Sequence, residues 1–384
     1  MPANSNEIAD ENEYRAWIRL GLEPRLGPVR IRTLLATIGL PQDIYAQSTS
    51  ALSKLLGPEL AAQLRQAPDD SMAATIEATM AWLNEPAHHL LTLADKHYPT
   101  NLLALHDPPA LLYLNGNPDC LHRPILSIVG ARSATTGGRE NAQAFARYLA
   151  GQGWCIASGL ASGIDGAAHE GALQAGPEAG GTIAVLGTGI DLVYPARHRQ
   201  LAHRIASSGL LVSEFPLGAH AQPFHFPQRN RVVAALGRGV LVVEAAQRSG
   251  SLITAQQASE IGREIFAIPG SIHSPLSRGC HALIRQGAKL VESGEDIMEE
   301  LRQSGLIPQS AHQPNRVDTP TQTTESLSAD EHTLLQALGH DPQSTEVLHA
   351  RTQWDMARLH STLALLELQG RIARQADSRF QRLG

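Results

Sequence analysis

Aromatic residues are scarce: 4 Trp, 6 Tyr and 6 Phe make up 4% of 384 residues. That is too few for an all-β protein or for a broad surface of stacked rings. Cysteine is scarcer. Cys120, Cys155 and Cys280 are odd in number, far apart and in no metal-ligand spacing. A disulfide framework and a thiolate metal site are thereby excluded, and the pattern reads as reduced thiols in a cytoplasmic protein. No apolar run approaches the roughly 20 residues that span a bilayer. The opening MPANSNEIADENEY is polar and acidic, where a secretory leader is basic and then apolar. No membrane partner is expected. Histidine is commoner, at 17, but without paired metal spacing. The neighbours His88 and His89, read as helical, fall on different faces. No metal is expected.

Charge is present but unevenly placed. The net is −6. Residues 1–122 hold 8 Lys and Arg against 14 Asp and Glu; residues 123–290 hold 15 against 9; residues 291–384 hold 8 against 14. Fourteen of the fifteen middle cations are arginine, whose planar fork suits bidentate phosphate contacts. An anionic ligand is expected in that middle segment.

The patterning divides the chain at the same places. Residues 1–85 read as a helical domain. Its LGPVRIRTLL is either a phosphate-binding hairpin between helices or a plain helical turn. Residues 86–302 form the main domain, entered through a proline-punctuated connector, 86–122, with a short strand at Leu111 to Leu114. From 123 the short apolar runs ILSIVG, WCIASGL, GTIAVLG, GLLVSEF, GVLVVEA, EIFAIPG and AKLVES alternate with helical stretches. Continuous apolar runs separated by helices mean strands buried on both faces, in an α/β, doubly wound, mostly parallel sheet. Its ligand belongs beyond the carboxyl ends of the strands. Residues 303–327 read as a flexible linker. Residues 328–384 read as three helices and a strand pair, winged-helix-like, opened by a capping box at Ser328 to Glu331. This tail is acidic overall and suits DNA contact, protein contact or a structural role.

Five predicted strand-end loops carry the candidate chemistry. In IVGARSATTGG, Gly130 allows close backbone approach and Arg132 lies just past the strand. This is not G-x-G-x-x-G, so no dinucleotide cofactor is expected. In SGLASGIDGAAH, Ser158, Gly159 and Gly163 open a helix, while Asp165 and His169 share one helix face. That pair fits a general base with its partner, or a helix cap and a surface ion pair. Gly187 and Gly189 flank a tight turn in GTGIDLVYP. In QPFHFPQRNR, read as a loop, Phe224 and Phe226 precede Arg229, Asn230 and Arg231. Rings beside arginines suit single-stranded nucleic acid, with stacking for bases and charge for phosphates; one of the rings could instead pack beneath the loop. Finally Arg248, Ser249 and Gly250, in EAAQRSGSLITA, lie between strand and helix as an anion nest. Ser249 or Ser251 as nucleophile would need a neighbouring base, and none is local. No catalytic residue is expected.

Taken in order, VGAR, SGLASGIDGAAH, GTGIDLVYP, SEFP, FPQRNR, EAAQRSGSLITA, AIPG and LIRQGA resemble the DprA/Smf family, the DNA-processing proteins of bacterial natural transformation. The resemblance is strong over roughly 90–300. It implies a Rossmann-like core, a SAM or helix-hairpin-helix-like front domain and a winged-helix tail. It implies binding of single-stranded DNA, a homodimer formed through the Rossmann-like domain, and loading of RecA onto incoming strands. By motif, Arg132 and the arginines of FPQRNR belong to the DNA pocket, and Phe224 or Phe226 stacks a base. Two positions depart from the family pattern: Ser162, where a basic residue is common, and His281, in GCH where GxN is usual. The alternative is a nucleotide-processing enzyme like the LOG-type phosphoribohydrolases. Their PGGxGTxxE loop is absent, and Glu244 precedes its loop instead of following it on the helix.

Overall fold

The computed structural model describes residues 11–306, 327–339, 342–375 and 378–383. Residues 307–326, most of the segment read as a linker, lie outside the described residues. Six helices come first among the described residues: α1 (Glu11–Leu22), α2 (Gly27–Thr37), α3 (Pro41–Ala46), α4 (Thr49–Leu56), α5 (Pro58–Leu64) and α6 (Asp70–Trp82). Proline opens α3 and α5, where its missing N–H has no intrahelical acceptor to lose. Ser48 and Asp69 cap α4 and α6 by accepting from Ala51 N and Met72 N. The α1–α2 turn, the candidate phosphate hairpin, is built on Glu23. This buried carboxylate accepts from Arg19 Nε (3.3 Å), Tyr45 Oη (3.2 Å) and Gln63 Nε2 (2.9 Å). A buried anion at the turn favours the plain structural reading.

The sheet follows. Its elements are β1 (His88–Thr92), β2 (Leu111–Gly116), β3 (Ile125–Gly130), α7 (Thr136–Gly151), β4 (Cys155–Ser158), α8 (Ile164–Gln174), β5 (Thr182–Val185), α9 (Arg199–Ser208) and β6 (Leu210–Ser213). Then come α10 (His225–Leu236), β7 (Gly239–Val243), α11 (Gly250–Glu260), β8 (Glu264–Ala267), α12 (Arg278–Arg285), β9 (Lys289–Leu290) and α13 (Gly294–Gln303). Among the described residues nine strands form one sheet, in the order β1-β2-β6-β5-β4-β3-β7-β8-β9. From β6 to β9 every pairing is parallel. β2 joins β6 antiparallel, and β1 joins β2 antiparallel.

This corrects the reading of 86–122 as a connector with one strand: it extends the sheet by two. His88 and His89 stand on β1, not on a helix, and the His88 ring stacks on Trp82 with centroids 4.1 Å apart. All three cysteines are buried and unbridged. No helix among the described residues is long and apolar enough to cross a membrane.

The strand pleat sorts side chains to two faces. From β3 and β7, Ile125, Val129, Val240 and Val242 pack with Val232 to Leu236 of α10 and with Ala255 and Ala258 of α11. Leu126, Ile128, Leu241 and Val243 pack with Phe145 and Leu149 of α7, Ile164 and Ala168 of α8, and Ile297 and Leu301 of α13. Helices thus cover both faces, which explains the unbroken apolar runs. The chain runs from β3 outward to β6, then returns to β3's other side as β7. The loops after β3 and β7 therefore leave in opposite senses and open a crevice between them.

The C-terminal unit comprises α14 (Ala329–Leu338), α15 (Thr345–Thr352), α16 (Met356–Leu368) and the hairpin β10 (Ile372–Arg374)–β11 (Phe380–Arg382). Leu334, Leu338, Leu359, Leu363, Ile372 and Phe380 form its core. Ser328 and Glu331 form the capping box expected from the sequence.

Candidate nucleic-acid interface

The crevice at the β3 and β7 ends is a cleft of about 440 Å³. Gly130, Arg132, Arg229, Asn230, Ser249 and Gly250 line it, with Ser133, Ala161, Asp165, Ala246, Ser251, Thr254 and Leu276. Gly130 permits the two strands to close here: a Cβ on it would lie 1.8 Å from Val243 O. Arg132 is exposed at the rim. Its guanidinium carbon is 5.4 Å from the Phe226 ring centroid, a cation–π distance.

Two carboxylates shape the walls. Glu244 follows β7 with φ of 54° and accepts from Thr135 N (2.9 Å) and from Thr135 Oγ1. Thr135 in turn caps α7, accepting from Gly138 N at 3.0 Å. Glu244 therefore fastens the loop that carries Arg132. Asp165 is buried at the start of α8 and accepts from Gly159 N and Ala161 N, each at 3.2 Å. Burial pushes its carboxyl up; the Arg229 guanidinium opposes that shift.

Arg229 is 3% exposed. Its Nη1 donates to Gly159 O and to Val185 O (2.5 Å), and its Nε donates to Asn230 Oδ1 (3.1 Å). Burial pulls its pKa down to about 10, with Asp165 opposing, so it remains a cation at neutral pH. Arg229 thus binds the ends of β4 and β5 together and leaves positive charge in the cleft floor. The nest after β7 is set by Ser249, which accepts from Ser251 N at 3.2 Å and meets Ser251 Oγ at 2.5 Å.

Other expected site residues fall elsewhere. The Ser158 hydroxyl is buried and donates to Ile128 O at 2.6 Å, so it faces the sheet interior. Gly159 is buried beneath Arg229. Gly163, at φ 79°, packs on Ala131 O and Arg132 O and lines a neighbouring cleft. The FPQRNR segment is not a loop. It is the first part of α10, because Pro227 sits in the first turn, where proline is tolerated. On that helix Arg231 points away from Arg229: it is buried against Glu214, and its Nη1 donates to Asp107 O at 2.6 Å. Phe226 lies over Gly187, 5.5 Å from the Tyr194 ring, while Phe224 is 65% exposed. Arg248 is exposed outside the cleft lining.

Asp165 and His169 are not a surface ion pair. The His169 ring is buried, its Nδ1 lies 2.7 Å from Thr182 Oγ1, and desolvation drives its pKa down to about 3. Glu244 as loop anchor and Leu276 as cleft wall were not anticipated. A glutamate just after an apolar strand was the available signal for the first. Leu276 comes from the loop after β8 and carries no local mark.

The sequence and the fold have counterparts in known proteins. Residues 89–302 match the family model described as DNA recombination-mediator protein A, and residues 318–378 match the DprA winged helix domain. Protein Smf of Escherichia coli (strain K12) is 43% identical over 302 residues, covering 78% of this chain and 79% of its own. DNA processing protein DprA of Streptococcus pneumoniae (strain ATCC BAA-255 / R6) is 47% identical over 209 residues, 54% of this chain and 73% of its own. The X-ray structure of DprA from Streptococcus pneumoniae matches 75% of this chain and 97% of its own, with a TM-score of 0.64 at 35% identity. A Helicobacter pylori DNA processing protein A structure, described as giving insight into a unique single-stranded DNA binding mode, matches 56% and 97%, with a TM-score of 0.50 at 30% identity. Family models, sequence identity and structural match agree: the chain belongs to the DprA/Smf family of DNA recombination mediators.

Proposed function

We propose that this protein binds single-stranded DNA at the carboxyl edge of its parallel sheet, without chemistry, and delivers it to RecA in the cytoplasm during natural transformation. The observation that carries this is Arg132. It is exposed at the rim of the switch-point cleft, over an aromatic ring and above a floor charged by Arg229. Phosphates would meet Arg132 and the Ser249–Ser251 nest, and an unpaired base would stack on exposed Phe224. Duplex bases cannot reach that ring. The single-stranded DNA described for the Helicobacter pylori relative supports the same ligand here. A homodimer through the Rossmann-like domain would set two such clefts on one strand and raise avidity. Against catalysis, the Ser249 and Ser251 hydroxyls bond to each other, and Glu244 is engaged with Thr135.

The test is a salt titration of binding to single-stranded and duplex oligonucleotides, for the wild type and Arg132→Ala. Single strands should win. The slope of log K against log salt should flatten by about 0.7 for each phosphate no longer neutralised. Equal binding to duplex, an unchanged slope, or hydrolysis of a nucleoside monophosphate by the wild type would reject the reading.

A further inference from the structure

The core cleft opens past Arg132, Ser133 and Leu276 into a larger one of about 1050 Å³, between the sheet edge and the C-terminal unit. Six arginines line it: Arg132, Arg139 and Arg197 from the core, and Arg351, Arg374 and Arg379 from the winged helix. His198 and His273 join them, and no carboxylate among the described residues lines it.

The guanidiniums with visible partners here are held by neutral groups. Arg139 donates to Ala134 O (2.6 Å) and Thr136 Oγ1 (3.1 Å). Arg351 donates to Ala337 O (2.7 Å), and Arg374 lies 5.9 Å from the Phe380 ring centroid. These interactions orient the positive charge without cancelling it.

Neutral side chains join the two units as well. Gln375 Nε2 donates to Thr136 Oγ1 (3.0 Å) and to Gln381 Oε1 (2.9 Å), which also accepts from Gly137 N (3.3 Å). Neutral hydrogen bonds thus bridge two surfaces that bring arginines to one cleft from both sides. Like charges repel across such a gap, and a polyanion laid between them reverses the sign.

We infer that a bound strand continues out of the core cleft past Arg132, and that its sugar–phosphate backbone lies between the winged helix and the core, joining them. This deepens the single-strand reading above and rests on it. It makes the C-terminal unit a second half of the binding site, used only by strands long enough to leave the core cleft. The ligand class is an extended phosphodiester backbone, with no demand on base identity.

The experiment uses the full chain and oligothymidylates of about 4 and about 16 nucleotides, the range of single-strand site sizes. Arg351→Ala/Arg374→Ala should flatten the salt slope for the long strand by about 1.4, at about 0.7 per phosphate, and leave the short strand unchanged. Arg197→Ala, on the core side of the gap, should show the same length dependence with half the change. It guards against a folding defect in the winged helix. Equal effects on both lengths, or none on either, overturn the inference.

Inorganic polyphosphate is titrated in parallel. If the wild type binds neither oligonucleotide, the DNA reading fails. Polyphosphate binding that the double variant loses then keeps the gap as a polyanion site, whereas no polyphosphate binding overturns both.

Discussion

Replacing Arg231 with methionine should cost stability and leave strand binding alone. Arg229 and Arg231 are two residues apart on α10, so they project about 200° apart around the helix axis. Arg229 reaches the cleft, whereas Arg231 meets Glu214 on the other side, each side chain 7% exposed. Removing one partner of a buried pair costs about 3–5 kcal/mol, because the other charge is stranded. The structure points to the lower end. Burial already raises the Glu214 carboxyl to about 7, against the pull of Arg231 and a hydrogen bond from Gln228. Without Arg231 it takes up a proton at neutral pH and sheds its charge.

A loss near 3 kcal/mol lowers the melting temperature of a domain this size by about 6–12 °C. The loss has a pH signature. The Glu214 pKa in the folded variant lies still further above its unfolded value of 4.5. Stability then falls as pH rises between the two values and recovers as pH drops towards the lower one. The wild type shares that dependence up to about 7, so melting temperatures of wild type and Arg231→Met should keep a constant offset between about pH 5 and pH 6 and separate further above pH 7. Oligonucleotide titrations well below the transition should show an unchanged salt slope. An unchanged melting temperature, or a slope flattened as in Arg132→Ala, would refute the assignment of the two arginines to opposite sides.

Phe224→Ala should weaken single-strand affinity by about 1–3 kcal/mol, the worth of one stacked base, without moving the melting temperature, since that ring is exposed. Phe226→Ala should lower the melting temperature, because its ring packs over Gly187 and beside Tyr194; calorimetry separates the two. Glu244→Ala leaves Thr135 N and Thr135 Oγ1 without their acceptor. It should cost about 1–3 kcal/mol in urea unfolding and speed strand dissociation in stopped-flow. His169, held near pKa 3 by burial against an ordinary 6.5, is neutral when folded and protonates on unfolding. Stability should be complete above pH 6.5 and fall by up to about 5 kcal/mol as pH drops towards 3. His169→Gln should lose most of that dependence in melts across the acid range, and a parallel acid loss in the variant would contradict it.

What the sequence showed depended on how local the signal was. β3 to β8 were legible because strands covered on both faces need apolar side chains at every position. β1 was not, since HHLLT begins with two polar rings and its apolar run is only two leucines long. The glycine and arginine of VGAR were legible because the strand end fixes where they lie. Arg229 and Arg231 looked alike because Phe-Pro reads as a breaker; once the segment is a helix, spacing alone separates them. The inward turn of the Ser158 hydroxyl was not legible, because a side chain at a strand end points into or out of the sheet according to the pleat, which the sequence does not mark. Net charge hid the tail's contribution. Residues 328–384 hold 6 arginines against 7 acids, yet Arg351, Arg374 and Arg379 all face the core.

The antiparallel junction between β2 and β6 has a consequence for synthesis. β2 is made early, but its sheet neighbour β6 begins at Leu210, well after β2 ends at Gly116. At ordinary ribosomal rates of about 5–20 residues per second, its Leu-Leu-Tyr-Leu run waits roughly 5–20 s for that partner. Until then β1 on one edge, with α1 through Trp17 and Ile18 and α6 through Ile76 and Trp82 on one face, is what the finished part of the chain offers to shield it. The front of the nascent chain thus has to guard an open strand edge for as long as it takes to translate the switch-point loops. A ribosome stalled between β3 and β5 would leave an apolar edge in search of another chain.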